Sequence, residues 1–97
     1  MDRGRVIEML RAHQEDLCRG VVAHLYLFGS VARGEAHADS DVDLFFETDD
    51  PEFSLIELVD VQEHVNDILG VSSDVMTRAS LHPMLRELIE AEALRVF

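Results

Sequence analysis

Leu27-Phe28-Gly29-Ser30-Val31-Ala32-Arg33-Gly34, followed after a short polar stretch by Asp41-Val42-Asp43-Leu44, decides how this chain is read. His24-Leu25-Tyr26-Leu27-Phe28 is a short apolar run that stops at Gly29, which suits a buried strand. Gly29 permits a tight turn and lets a ligand come close to the backbone. Ser30 opens a helical turn, where free backbone N–H groups and the helix dipole favour phosphate. Its hydroxyl adds a donor. Arg33 follows one helical turn later, where a guanidinium is placed to meet phosphate oxygens in bidentate fashion. Asp41 and Asp43 are two residues apart on a predicted strand, so both side chains leave the same face. Two unit charges about 4 Å apart repel by about 4 kcal/mol at an effective dielectric near 20. Either one protonates, or both face water, or a cation sits between them. Hard oxygen ligands beside a triphosphate suit Mg²⁺. Val42 and Leu44 point the other way and anchor the strand.

Outward from this centre the chain alternates between helical and strand periods. Val6, Ile7, Leu10, Leu17 and Cys18 fall on one helical face over Val6–Cys18, with Gly20 as the stop. Gly29–Gly34 is a turn opening a short helical stretch, and Glu35–Ser40 reads as a loop. Asp41–Phe46 has the period of a strand, and Asp49-Asp50-Pro51 is a turn. Phe53–Leu69 is an amphipathic helix with Leu55, Leu58, Val59, Val65, Ile68 and Leu69 inward and Gly70 as its stop. Val71–Thr77 is a third strand. Pro83 fits the first turn of a last helix whose inner face is Met84, Leu85, Leu88 and Ile89. Ala93–Phe97 is a final short strand. The expected fold is α/β, a mixed sheet of about four strands with helices packed against it.

The third carboxylate is Asp74. It stands in Ser73-Asp74-Val75-Met76, an apolar strand-like segment where a charge is out of place. If this strand pairs with Asp41–Phe46, Asp74 reaches the same metal, and it is placed to accept a proton from an attacking hydroxyl. Two metals bridged by such a triad would stabilise both the attacking and the leaving oxygen of an in-line displacement.

Composition bounds the rest. The 97 residues read as a single domain over 1–97, with room for one core and not for a second, substrate-binding domain. The formal net charge is −12, with 20 acidic residues against 8 arginines and no lysine. A protein that grips nucleic acid by its phosphates needs basic surface, so direct nucleic-acid binding is not expected. Much of the acidity is solubility; the remainder suits metal ligation and a basic partner. No apolar run approaches the roughly 20 residues that span a bilayer, and the start of the chain is amphipathic, unlike a signal peptide. Cys18 is the one cysteine, so no disulfide forms within the chain, and a reducing cytoplasm is the expected compartment.

Gly29-Ser30, ten intervening residues, then Asp41-x-Asp43 resembles the signature of the DNA polymerase β-like nucleotidyltransferase superfamily. The longer string, Gly-Ser-x-Ala-Arg-Gly then Ser-Asp-x-Asp-Leu, resembles its minimal nucleotidyltransferase (MNT) branch. The likeness extends to the Asp74 strand and to the His82–Glu90 tail. The resemblance implies Mg²⁺ held by Asp41, Asp43 and Asp74, and triphosphate contacts at Gly29 and Ser30, with Arg33 either on the nucleotide or bridging to Asp41 or Glu35. Small members of this branch are similar to the antitoxin half of HEPN–MNT pairs. That likeness implies AMP transfer from ATP to a tyrosine of a HEPN ribonuclease toxin, in a homo- or hetero-oligomer. Two other readings share the motif: neutralisation of the toxin by binding alone, and a small-molecule (antibiotic) nucleotidyltransferase subunit, whose relatives carry a further domain.

Other residues have plainer readings. His13, His24, His37, His64 and His82 lack metal-ligand spacing, although His37 lies in the loop before Asp41. Tyr26 and Cys18 read as core. Met9, Met76 and Met84 read as packing, and Glu87, Glu90 and Glu92 as a solvated helix face.

Overall fold

The computed structural model describes residues 2–19, 21–36 and 41–97. The elements run α1 (Arg3–Ala12), α2 (Gln14–Arg19), β1 (His24–Phe28), α3 (Gly29–Arg33), β2 (Val42–Glu47), α4 (Leu55–Leu69), β3 (Ser73–Thr77), a 3₁₀ turn (Arg78–Ser80), α5 (Arg86–Glu92) and β4 (Leu94–Arg95). The four strands form one sheet in the order β3-β2-β1-β4. β1 is antiparallel to both β2 and β4, while β2 and β3 are parallel, joined through α4. This is the expected mixed sheet with helices against it.

Strand alternation sorts the side chains into two layers. On one face Leu25, Leu27, Val42, Leu44, Phe46 and Val75 form the main core with Val6, Leu10, Val61, Val65 and Leu69 from α1 and α4. On the other, Phe28 and Phe45 gather with Leu81, flanked by half-buried Tyr26, Met76, Ile89 and Ala93. Phe45 stacks on Tyr26 with ring centroids 4.9 Å apart and lies 5.7 Å from Phe28.

Several expected boundaries move. The helix over Val6–Cys18 is two helices, broken at His13, whose N–H reverts to Leu10 O. Between Leu10 and Leu17 every residue is exposed, and the one apolar residue, Ala12, is too small to anchor the stretch on the core. Leu17 still reaches the interior, but Cys18 is exposed and not core. Gly20, the expected stop, lies outside the described residues.

In α4 the buried stripe is Val61, Val65 and Leu69, with Leu58 and Ile68 at its edges. Leu55 and Val59, expected inward, are exposed. Val59 is rotated by about 100° from Leu58, off the stripe, and Leu55 stands in the open first turn. Phe53 precedes the helix and packs edge-on against Phe46.

The last helix begins at Arg86, three residues after Pro83, because the chain first makes a turn in which Leu85 N–H bonds His82 O. Of its expected inner face only Ile89 packs. Met84 is 83% exposed, Leu85 50% and Leu88 69%. Two residues of Ala93–Phe97 have strand geometry, yet the segment keeps bonding β1: Val96 N–H donates to Leu25 O (2.8 Å) and Leu25 N–H to Phe97 O (3.2 Å).

A candidate nucleotide site

The chain leaves β1 through Gly29, which has φ 78°, the left-handed region that only glycine enters freely. A second constraint is closer contact: a methyl group on Gly29 would run into the Asp43 carboxylate, with Cγ 3.1 Å away and Oδ2 nearer still. Phe28 pairs with Asp43 across the β1–β2 ladder, which sets this acid beside the loop. α3 follows, with Val31 and Ala32 buried, Ser30 half-buried, and Gly34 closing it at φ 74°.

Asp43 and Asp74 are register partners on the parallel β2–β3 pair. The face opposite the main core carries both, together with Phe28, Phe45 and Met76. Asp43 is half-buried and Asp74 exposed; Asp41, exposed, sits immediately before β2, which starts at Val42. The Asp43 carboxyl is pushed above its ordinary value, first by burial, then by the charges of Asp74 and Asp41; Arg33 opposes this. Among the described residues none of the three carboxylates has a hydrogen-bond or ion-pair partner. The three expected to share a metal, Asp41, Asp43 and Asp74, do not form a group of three that could hold a metal ion, and no other three His, Cys, Asp or Glu side chains among the described residues do. Mg²⁺ is typically held by one or two carboxylates and completes its shell with phosphate oxygens and water, so a pair of these acids is the donor set that suits it. Uncompensated negative charge around a half-buried acid is the feature a divalent cation neutralises.

Arg33 takes one of its expected alternatives, the bridge to Glu35, while Glu92 departs from expectation. Arg33 Nε donates to Glu35 at 3.0 Å, and its Nη1 donates to both oxygens of Glu92 at 3.1 and 3.2 Å. Glu92 also accepts the Gly29 N–H at 3.1 Å. So Glu92, read from sequence as a solvated face, is part of the site. Glu90 is likewise paired, with Arg78 and Arg86; Glu87 is exposed as expected. The missed signal was register. Leu27 pairs with Leu94 in antiparallel sense. Stepping that ladder two residues outward sets Glu92 opposite Gly29.

His37, suspected for its position, lies outside the described residues. His13 contacts its own helix at Met9 O, and His82 Nδ1 accepts Met84 N–H. Tyr26 is half-buried, and its hydroxyl donates to Glu47 at 3.3 Å.

A strand running into a Gly-Ser loop and a short helix, beside two acids in register on adjacent strands, is the layout of a nucleotidyltransferase. The chain belongs to the nucleotidyltransferase domain family, whose family model matches residues 10–96. It is 32% identical over 89 residues to protein adenylyltransferase MntA of Thermococcus cleftensis, covering 91% of this chain and 89% of that one. A solved structure assigned as a minimal nucleotidyltransferase is 35% identical, covers 97% of this chain and 95% of its own, and superposes with a TM-score of 0.75. The fold also recurs in a structure of a tri-AMPylated Shewanella oneidensis HEPN toxin with its MNT antitoxin. There the TM-score is 0.66 at 16% identity, over 94% of this chain and 71% of that one.

Proposed function

We propose that this chain, acting as one domain in the cytoplasm, transfers AMP from ATP to a hydroxyl of a protein partner, and that the partner is a HEPN ribonuclease toxin modified on tyrosine. The observation that carries the reading is the register pair Asp43–Asp74 beside the Gly29 loop, with Asp43 half-buried and short of positive charge. Further support comes from the MntA relative, named a protein adenylyltransferase, and from the AMP-modified HEPN toxin in the Shewanella complex.

In this reading each site residue has one role. Gly29 N–H, Ser30 and Arg33 bind the triphosphate. Asp41 and Asp43 would hold Mg²⁺, which would neutralise charge on the phosphates. Asp74, exposed at the rim, accepts the proton of the acceptor hydroxyl. The hydroxyl oxygen then bonds to the α-phosphorus, the bond from that phosphorus to the bridging oxygen breaks, and pyrophosphate leaves. AMP stays on the acceptor. The test incubates the chain with labelled ATP, Mg²⁺ and its cognate partner. The partner should be labelled, and Asp41→Asn with Asp43→Asn should abolish the label; label undiminished by that pair sinks the mechanism.

A second reading, inhibition by binding alone, is favoured by the exposed apolar side chains Met84, Leu85 and Leu88, which a protein partner would cover. The double Asn variant decides between them: if it still protects cells fully from the toxin, occlusion suffices.

A further inference from the structure

We propose that the Glu92 carboxylate and the nucleotide phosphates compete for the same donors, so that Glu92 gates nucleotide binding. The inference rests on the reading of the Gly29 loop as the triphosphate seat and adds a regulator within the chain.

Glu92 makes the contacts a phosphate group would make. Its Oε1 accepts both the Gly29 amide at 3.1 Å and Arg33 Nη1 at 3.2 Å, and its Oε2 accepts Arg33 Nη1 at 3.1 Å. A planar carboxylate and a tetrahedral phosphate each present a pair of oxygens that a guanidinium can meet in bidentate fashion. The two anions cannot hold these donors together. Glu92 also adds, as the smallest contributor, to the negative charge that holds the Asp43 carboxyl above its ordinary value. When phosphate replaces Glu92, the Gly29 amide and Arg33 exchange one anionic acceptor for another, so neither donor is left unsatisfied. Such an exchange makes a two-state element whose balance the ligand shifts.

The backbone around Glu92 limits how it can leave. Next to it, Leu94 pairs with Leu27 in β4, and Val96 N–H is bonded to Leu25 O. On the other side, Ile89 packs with Phe28 and Phe45, and Glu90 is tied to Arg78. With both flanks fixed, the side chain rotates away while α5 stays in place. Arg33 keeps its contact with Glu35 throughout, which holds the guanidinium ready for the incoming phosphate.

The test measures binding of tripolyphosphate, and separately of ATP with Mg²⁺, by calorimetry on wild type, Glu92→Gln and Glu92→Ala. Gln is isosteric and keeps an acceptor for the Gly29 amide, so the fold is retained. Losing the competing charge should tighten tripolyphosphate binding in both variants by roughly 5- to 10-fold, about the worth of one ordinary hydrogen bond. In wild type, tripolyphosphate should shift the Gly29 amide resonance, and in Glu92→Gln the same shift should be complete at a lower concentration. Unchanged or weaker binding in both variants overturns the competition and makes Glu92 a brace for the loop. The two readings fail separately. Label transfer by wild type with no gain in phosphate affinity overturns the competition alone. A gain in phosphate affinity with no label transfer overturns the transferase reading and leaves the competition standing.

Discussion

Asp43 and Asp74 face each other in register across the parallel β2–β3 pair, on the sheet face opposite the main core. Their backbones are locked by the ladder, and Val42, Leu44 and Val75 on the alternate positions are buried in the core. The acids therefore cannot separate without tearing core residues out of place. Asp43 is forced to hold its charge half-buried against Asp74 and Asp41. The site stores repulsion that a cation relieves.

This repulsion predicts that Asp43→Asn stabilises the metal-free protein while removing activity. The Asp43 carboxyl titrates above its ordinary 3.8, pushed first by burial and then by Asp74 and Asp41. A carboxyl raised in the folded state resists ionisation there, so it subtracts stability as pH climbs past the ordinary value and keeps doing so at neutral pH. The melting temperature of Asp43→Asn should exceed wild type at pH 7 in chelator, and the two should converge below about pH 3.8. Transfer should fall by roughly 10³-fold, the scale of several kcal/mol of lost metal-dependent stabilisation. A variant less stable than wild type at pH 7 would contradict the repulsion.

Gly29 and Gly34 should respond differently to alanine although their backbones match, at φ 78° and 74°. Both substitutions carry the left-handed penalty, on the order of 1–2 kcal/mol. At Gly34 the new methyl would meet only Arg3 Nη1, 4.0 Å away. At Gly29 it collides with the Asp43 carboxylate. Urea midpoints should place Gly29→Ala clearly below Gly34→Ala, and only Gly29→Ala should also lose nucleotide binding.

The loop and the acids were legible because their signals are local. A run of apolar residues ending at Gly29 and the period-two spacing of Asp41 and Asp43 need no tertiary knowledge. One misplaced charge singled out Asp74, while the pairing of its strand with β2 stood only as a condition until the structure supplied it. Glu92 was not, because its role depends on β4 pairing antiparallel to β1, a long-range register that spacing does not reveal. The apolar face of α5 misled for the opposite reason. Met84, Leu85 and Leu88 have the helical spacing of a buried stripe, but Met84 and Leu85 precede α5, and this seven-residue helix reaches the sheet through Ile89 and leaves Leu88 to solvent. Periodicity identifies an apolar face without naming what covers it.

Arg78 should control how firmly α5 rests on the sheet. It pairs with Glu90 of α5 and Glu47 of β2 while its guanidinium lies 5.8 Å from the centre of the Tyr26 ring. The hydrogen bond from Arg78 is the main reason the Glu90 carboxyl titrates below its ordinary 4.5. A carboxyl lowered in the folded state adds stability above its ordinary value and loses it as pH falls through the folded one. Wild type should therefore lose stability as pH drops below about 4.5, and Arg78→Ala should flatten that part of the curve. Amide exchange in α5 should quicken in the variant at neutral pH, more than in α4. Equal quickening in both helices would mean a global loss instead of a released α5.

Met84 and Leu88 offer a clean separation between folding and partner binding. Both are exposed, and neither is in the described cores. Replacing both with Asp should change stability by no more than about 0.5 kcal/mol per site, the usual range for surface substitutions away from special features. Transfer of AMP to a protein acceptor needs that acceptor to dock near the Gly29 loop, and α5 joins the two places, with Leu88 exposed on it and Glu92 at its end bonded to Gly29. Buried apolar anchors commonly contribute more than 1 kcal/mol each to an interface. Met84→Asp with Leu88→Asp should therefore weaken partner binding at least roughly tenfold by titration while leaving ATP affinity unchanged. If partner affinity is unaffected, the acceptor approaches from another side, and the exposed Leu55, Ile56 and Val59 of α4 become the surface to substitute next.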